Sequence, residues 1–147
     1  MSAAPAVTLT GTGRLEGAPL FSDIRLELAP GGWSCLIGPS GCGKSTLLRL
    51  IAGLDTGVAF DGGVTASDGA PVAPRVAYMA QSDLLLPWLD VTANVALGAR
   101  LRGQRADPGR AAALIDRLGL TAHAAKRPAQ LSGGQRQRVA LARTLME

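Results

Sequence analysis

Gly38-Pro39-Ser40-Gly41-Cys42-Gly43-Lys44-Ser45 fits the pattern G-x-x-x-x-G-K-[ST], and its residue types suit one task, holding a chain of phosphates. Gly38, Gly41 and Gly43 let the backbone turn its N–H groups inward as an anion nest. Lys44 has the reach and charge for β- and γ-phosphate oxygens, and the Ser45 hydroxyl is placed to ligate Mg²⁺. Ser40, Cys42 and Thr46 fall on the same loop, with Thr46 a further phosphate contact. A glycine-rich turn without a ligand is the plain alternative, and kinases, GTPases and motors share the motif.

The loop needs a strand before it and a helix after it. Trp33-Ser34-Cys35-Leu36-Ile37 is short and apolar between Gly31-Gly32 and Gly38, which predicts a buried strand with Cys35 inert inside it. Ser45–Leu54 carries Leu47, Leu50, Ile51 and Leu54 at helical spacing, which predicts a helix whose N-terminus points at the phosphates.

A second motif lies downstream, Leu131-Ser132-Gly133-Gly134-Gln135. Ser132 is a good N-cap, and the glycines allow a ligand close to the backbone. Val139, Ala142 and Leu145 share one side of the following segment, with Arg136, Arg138 and Arg143 mostly elsewhere. This predicts a helix offering its positive end to an anion. A capped surface helix with solvated arginines is the bland alternative.

Taken together, the two motifs resemble the nucleotide-binding subunit of ATP-binding cassette (ABC) transporters. Val76-Ala77-Tyr78-Met79-Ala80-Gln81, an apolar run ending in glutamine between the motifs, is similar to that family's Q-loop. The resemblance implies an α/β fold: a P-loop NTPase core of ABC type with an antiparallel β layer and a helical subdomain. It implies ATP and Mg²⁺ as cofactors, with Lys44 and Gln81 catalytic and Ser45 and Gln81 toward the metal. Two subunits would sandwich two ATP molecules, so Ser132, Gly133, Gly134 and Gln135 would contact ATP held by the partner. Residues 1–81 would form the β layer, P-loop and Q-loop, and residues 82–135 the helical subdomain with the signature motif at its end. Ser82–Leu89 would form the groove for a transmembrane permease, with a periplasmic or extracellular substrate-binding protein engaged only indirectly. Leu85-Leu86-Pro87-Trp88-Leu89 followed by Asn94-Val95 resembles the importer branch for nitrate, sulfonates, taurine or thiamine precursors. The same Leu84–Leu89 patch is equally readable as core under the helical subdomain.

Two departures from the family pattern stand out. The upstream position where many members carry an adenine-stacking aromatic is Leu15, which predicts weak adenine discrimination. The family also continues into an apolar strand ending in Asp-Glu and a later histidine. No such strand follows here, Glu147 has none before it, and the single histidine, His123, precedes the signature motif in a stretch that reads as a surface helix. The expectation is therefore an N-terminal portion, C-terminally incomplete, in which hydrolysis by the chain alone is very slow. The alternative is a truncated, non-hydrolysing module that binds nucleotide or a partner. A phosphate-loop kinase or GTPase would leave the signature motif unexplained.

Bulk properties agree with one modest domain. The chain has 147 residues, 47% of them hydrophobic, and a formal charge of +4. Its arginines are scattered without aromatic interleaving, so the basic balance suits an anionic nucleotide and a cytoplasmic membrane surface, not nucleic acid. No apolar run spans a bilayer, and the first residues, Met1 to Val7, lack the features of a signal peptide. With these absences, the resemblance implies a peripheral protein at the cytoplasmic face of the inner membrane. Two cysteines give no disulfide framework. Cys42 beside Lys44 is the reactive candidate.

Along the chain, Val7–Thr10 and Asp23–Leu28 read as antiparallel strands. Val58 to Val72, interrupted by Asp61-Gly62-Gly63 and Asp68-Gly69, reads as a hairpin. Asp90 should cap a helix to about Leu101. Asp107-Pro108 should open another over Arg110–Leu118, closed by Gly119.

Overall fold

A computed structural model describes residues 4–147. It divides into two compact units, one running up to Val76 and the other Ala77–Glu147.

The first unit is built on an antiparallel sheet. β1 (Val7–Leu15) and β2 (Ala18–Leu28) form a hairpin, and β3 (Ala59–Ala66) adds to the other side of β1, giving the order β2-β1-β3. The hairpin turn is Glu16-Gly17, both with positive φ. Both strands extend further toward it than the alternation around Val7–Thr10 and Asp23–Leu28 suggests. α1 (Lys44–Ile51) lays Leu47, Leu50 and Ile51 on the sheet's apolar side, where Leu9, Ile51 and Val72 are buried among Ile24, Leu26, Phe60 and Val64. Leu54 lies beyond the helix and stays exposed.

The segment Val58 to Val72 is not a hairpin. It supplies β3 and then a turn at Asp68-Gly69, and Asp61-Gly62-Gly63 sits inside the strand. The glycines there serve close approach, not reversal. A Cβ on Gly62 would run into the Thr10 carbonyl oxygen and the Gly11 Cα across the ladder.

Two expected strands are absent. Trp33–Ile37 carries no strand pairing, Trp33 and Ile37 are 105% and 91% exposed, and Cys35 is exposed instead of buried. Val76–Gln81 likewise forms no strand. A continuous apolar strand of this kind is stabilised by ladder partners on both edges and by cover on both faces. Every ladder among the described residues is taken up by β1, β2 and β3.

The second unit is helical. α2 (Val91–Val95) and α3 (Leu97–Leu101) divide at Ala96 what the sequence reads as one helix. α4 (Pro108–Arg117) and α5 (Gly133–Leu145) complete it. The caps are those the sequence predicts: Asp90 accepts from the Ala93 N–H, and Asp107 from the N–H groups of Gly109 and Arg110. Gly119 follows α4 with φ 65°. Val91, Val95, Ile115, Leu120, Val139 and Ala142 form the core.

Candidate functional site

The glycine loop precedes α1, and its geometry follows from positive φ at Gly41 (82°) and Gly43 (89°). L side chains rarely adopt such angles, so these positions need glycine. Gly43 is doubly constrained, because an added Cβ would lie 3.2 Å from Phe21 and 3.3 Å from Leu20. Lys44 opens the helix and folds its side chain back over the loop. Its Nζ donates to the carbonyl oxygens of Gly38 (2.8 Å) and Pro39 (2.6 Å) and lies 3.6 Å from the Cys42 Sγ. Lys44 is half-buried there. Beside the loop an open cleft of about 280 Å³ is lined by Leu15, Leu20, Gly43, Lys44, Ser45 and Thr46, with Thr56 and Val58 at its far wall. The loop thus sets one cation and two hydroxyls beside an aliphatic wall. Leu15, 46% exposed, is part of that wall.

The signature motif is a capping box. The Ser132 Oγ accepts from the Gln135 N–H at 3.3 Å, and the Gln135 Oε1 accepts from the Ser132 N–H at 2.8 Å. Gly133 and Gly134 stand at the first turn of α5, exposed, with room beside Gly134 for an added atom.

Side chains of α5 also fasten the segment that follows Gln81. Gln137 donates to the Gln81 carbonyl (3.0 Å), and Arg136 pairs with Asp83 (3.0 Å) while donating to the Leu131 carbonyl (2.9 Å). Arg143 donates to the carbonyls of Leu84 (2.8 Å) and Asp83 (2.7 Å). Burial pushes the Arg143 guanidinium below its usual value, with the Asp83 carboxylate opposing. Leu84 is left with φ 48° and its side chain outward. These arginines are not merely solvated charges.

The patch after Gln81 divides residue by residue. Leu85 is buried in the core, whereas Leu84 and Trp88 are 63% and 64% exposed. What fixes this division is Asn94, fully buried. Its Oδ1 accepts from the Leu86 N–H (2.9 Å), and its Nδ2 faces the carbonyls of Leu86 (3.2 Å), Leu89 (3.1 Å) and Asp90 (3.0 Å). The sequence offered Asn94 only as part of a subgroup resemblance. An asparagine eight residues after the loop it secures gives no local signal of that work.

The surface-helix expectation for His123 is corrected. The residue ends a 3-10 turn, Thr121–His123, is half-buried, and places its Nε2 2.9 Å from the Gln135 Nε2. Of the expected site residues, Gly38 to Thr46 are gathered in the first unit, and Gln81 with Ser132 to Gln135 in the second.

The phosphate loop with its following helix places the first unit in the class of P-loop proteins, and the ordered caps and signature loop narrow that class. The chain belongs to the ABC transporter family, whose model matches residues 21–147. It is 44% identical over 134 residues to an uncharacterized ABC transporter ATP-binding protein of Haemophilus influenzae, covering 90% of this chain and 54% of the relative. It is 45% identical over 148 residues to the aliphatic sulfonates import ATP-binding protein SsuB 2 of Burkholderia lata, covering 98% of this chain and 52% of the relative. The chain therefore spans about half the length of these curated relatives. Among solved structures, the dimeric post-hydrolysis state of the ATP-binding cassette MJ0796 bound to ADP and Pi matches with a TM-score of 0.77 at 28% identity, over 95% of this chain and 69% of that one. No helix among the described residues is long and apolar enough to cross a membrane.

Proposed function

We propose that the chain is the nucleotide-binding part of the ATP-binding subunit of an importer, one that couples ATP binding and hydrolysis to solute passage through a membrane permease. The carrying observation is the cleft where Gly43, Lys44, Ser45 and Thr46 meet the Leu15 wall. The ATP phosphates would lie in the Gly38–Thr46 loop, with the backbone N–H groups and Lys44 in place of water around the β- and γ-oxygens. Ser45 and Gln81 would hold Mg²⁺. No cluster of three or more His, Cys, Asp or Glu exists among the described residues to bind a metal without the phosphates. The ion, when bound, neutralises phosphate charge in the transition state. Lys44 would hold the transferred group in line.

Ser132, Gly133, Gly134 and Gln135 would face ATP held by a second copy, which makes the working form a dimer. Outward Leu84 and Trp88, within Ser82–Leu89, would meet the permease, placing the subunit peripherally at the cytoplasmic membrane face with a substrate-binding protein reached only through the permease. The relatives named for aliphatic sulfonates support that solute class.

Nucleotide titration of the Lys44→Ala variant tests the reading. ATP affinity is expected to fall at least tenfold with the fold intact by circular dichroism, and unchanged affinity would refute the loop assignment. Trp88→Ala is expected to weaken permease association while sparing nucleotide binding. Intact association would refute the docking assignment.

A further inference from the structure

The search for chemistry outside this site leads to the chain's single histidine. Gln135 is tied at both ends of its carboxamide. The Ser132 N–H at 2.8 Å can only donate, so the oxygen of Gln135 must face it. The other end is then the NH₂ group, and it lies 2.9 Å from the His123 Nε2. That ring nitrogen can pair with the NH₂ group in the tautomer that carries its proton on Nδ1 and a lone pair on Nε2. The Nδ1 is itself buried and finds no partner among the described residues.

The ring stands on a held platform. The His123 N–H donates to the Leu120 carbonyl (2.8 Å), and the His123 carbonyl accepts from the Lys126 N–H (2.8 Å). A chain of contacts therefore runs from this turn through the imidazole and the Gln135 carboxamide to the Ser132 backbone and the two glycines beyond it. Either a protonated ring or an Nε2–H tautomer would set donor against donor and release Gln135 from its capping orientation.

We propose that His123 is a positioning residue for the signature loop: by accepting from the Gln135 Nε2 it locks that carboxamide in the capping box, and so fixes the backbone of Ser132, Gly133 and Gly134 that faces the partner's nucleotide. The role rests on the reading of Ser132–Gln135 as nucleotide-facing. It assigns Gln135 a supporting task, with both ends of its side chain already engaged inside its own subunit.

The test uses the full-length protein. Long-range ¹H–¹⁵N spectra of histidine, assigned with His123→Asn, are expected to show His123 neutral and protonated at Nδ1, and Gln135→Leu is expected to shift it toward Nε2–H. ATP-driven dimerisation is then measured for His123→Phe, which keeps a ring without an acceptor, and for His123→Gln, whose carbonyl oxygen can reach the position of the ring Nε2. His123→Phe should weaken association roughly three- to tenfold, the range for one lost hydrogen bond, with ATP affinity of the monomer unchanged. His123→Gln should recover most of it. An Nε2–H or charged ring in the wild type overturns the proposal, as does wild-type association in His123→Phe. Gly134→Asp reports on the underlying reading by itself. If it leaves association intact, the signature-loop reading fails and this proposal with it. If it abolishes association while His123→Phe matches the wild type, only the positioning role fails.

Discussion

In the proposed nucleotide site, Leu15 would set how tightly the base end is held. It ends β1 opposite Ala18, immediately before the Glu16-Gly17 turn, and lines the cleft beside the phosphate loop with Leu20 and Val58. Full burial of a leucine side chain is worth about 1.5–3 kcal/mol. With 46% of Leu15 exposed, a base laid over it can bury at most about half of that, roughly 0.7–1.4 kcal/mol. An aromatic ring stacked on a base contributes about 1–3 kcal/mol. Leu15→Tyr is thus expected to tighten nucleotide binding by about 1 kcal/mol, close to fivefold.

The same comparison sets the selectivity. Stacking is indifferent to base identity because every base has a π-face. Aliphatic contact from Leu15, Leu20 and Val58 cannot read base edges either. The expected outcome is ATP and GTP affinities within about threefold of each other in the wild type, and a parallel gain for both in Leu15→Tyr. Competition of unlabelled ATP and GTP against a fluorescent ATP analogue measures both quantities. A wild-type preference for ATP above tenfold would refute the aliphatic-wall argument, and so would an unchanged affinity in a correctly folded Leu15→Tyr.

Three further outcomes follow from named contacts. Alkylation of Cys42 with a maleimide is expected to abolish nucleotide binding, because its exposed thiol lies 3.6 Å from the Lys44 Nζ; a Cys35→Ser background is required since Cys35 is exposed too, and retained ATP affinity after full modification counts against it. Asn94→Ala is expected to cost about 2–4 kcal/mol in denaturant unfolding, since it strips a partner from the Leu86 N–H and three carbonyls, and a loss under 1 kcal/mol would contradict that role. Hydrogen bonding to the Arg75 guanidinium, above all, holds the Asp68 carboxyl below its ordinary value, so the pair's contribution is present above the unfolded carboxylate pKa and disappears as pH falls through the lowered one; melting curves of Asp68→Asn should lose that acid-limb component and approach the wild type once the wild-type Asp68 is protonated.

The parts legible in the sequence are those whose chemistry is local. Asp90, Asp107 and Ser132 each cap the helix that follows by accepting an N–H two or three residues away, so their residue type and position carry the information. The glycine loop is legible for the same reason, since the positive φ of Gly41 and Gly43 belongs to the backbone they occupy. The larger misreadings concern non-local partners. Trp33–Ile37 and Val76–Gln81 have the composition of buried strands, but composition cannot supply the neighbouring ladder that makes a strand. Gly62 carries a turn-like residue type, yet its use is set by Thr10 and Gly11 across the sheet. His123 reads as a solvated residue because its partner, Gln135, belongs to another element.

The fastening of residues 81–84 by Arg136, Gln137 and Arg143 shows what such non-local contacts add to the proposed function. Three side chains of α5 grip the backbone or carboxylate of a segment that has no regular structure of its own, and the same helix begins at the signature loop. A displacement at Gln81 must therefore either break these bonds or be carried along α5 toward Ser132. At about 1 kcal/mol net for each of several bonds, carrying it is the less costly response to a small displacement. In the proposed importer, that makes the segment beside the permease and the loop facing the partner's nucleotide one mechanical piece. Replacing Arg143 with Lys keeps the charge but loses the two-carbonyl fork, so it should loosen residues 81–84 in hydrogen exchange without disturbing the caps at Asp90 and Asp107. Unaltered exchange at Asp83 and Leu84 would show that the helix and the segment move independently.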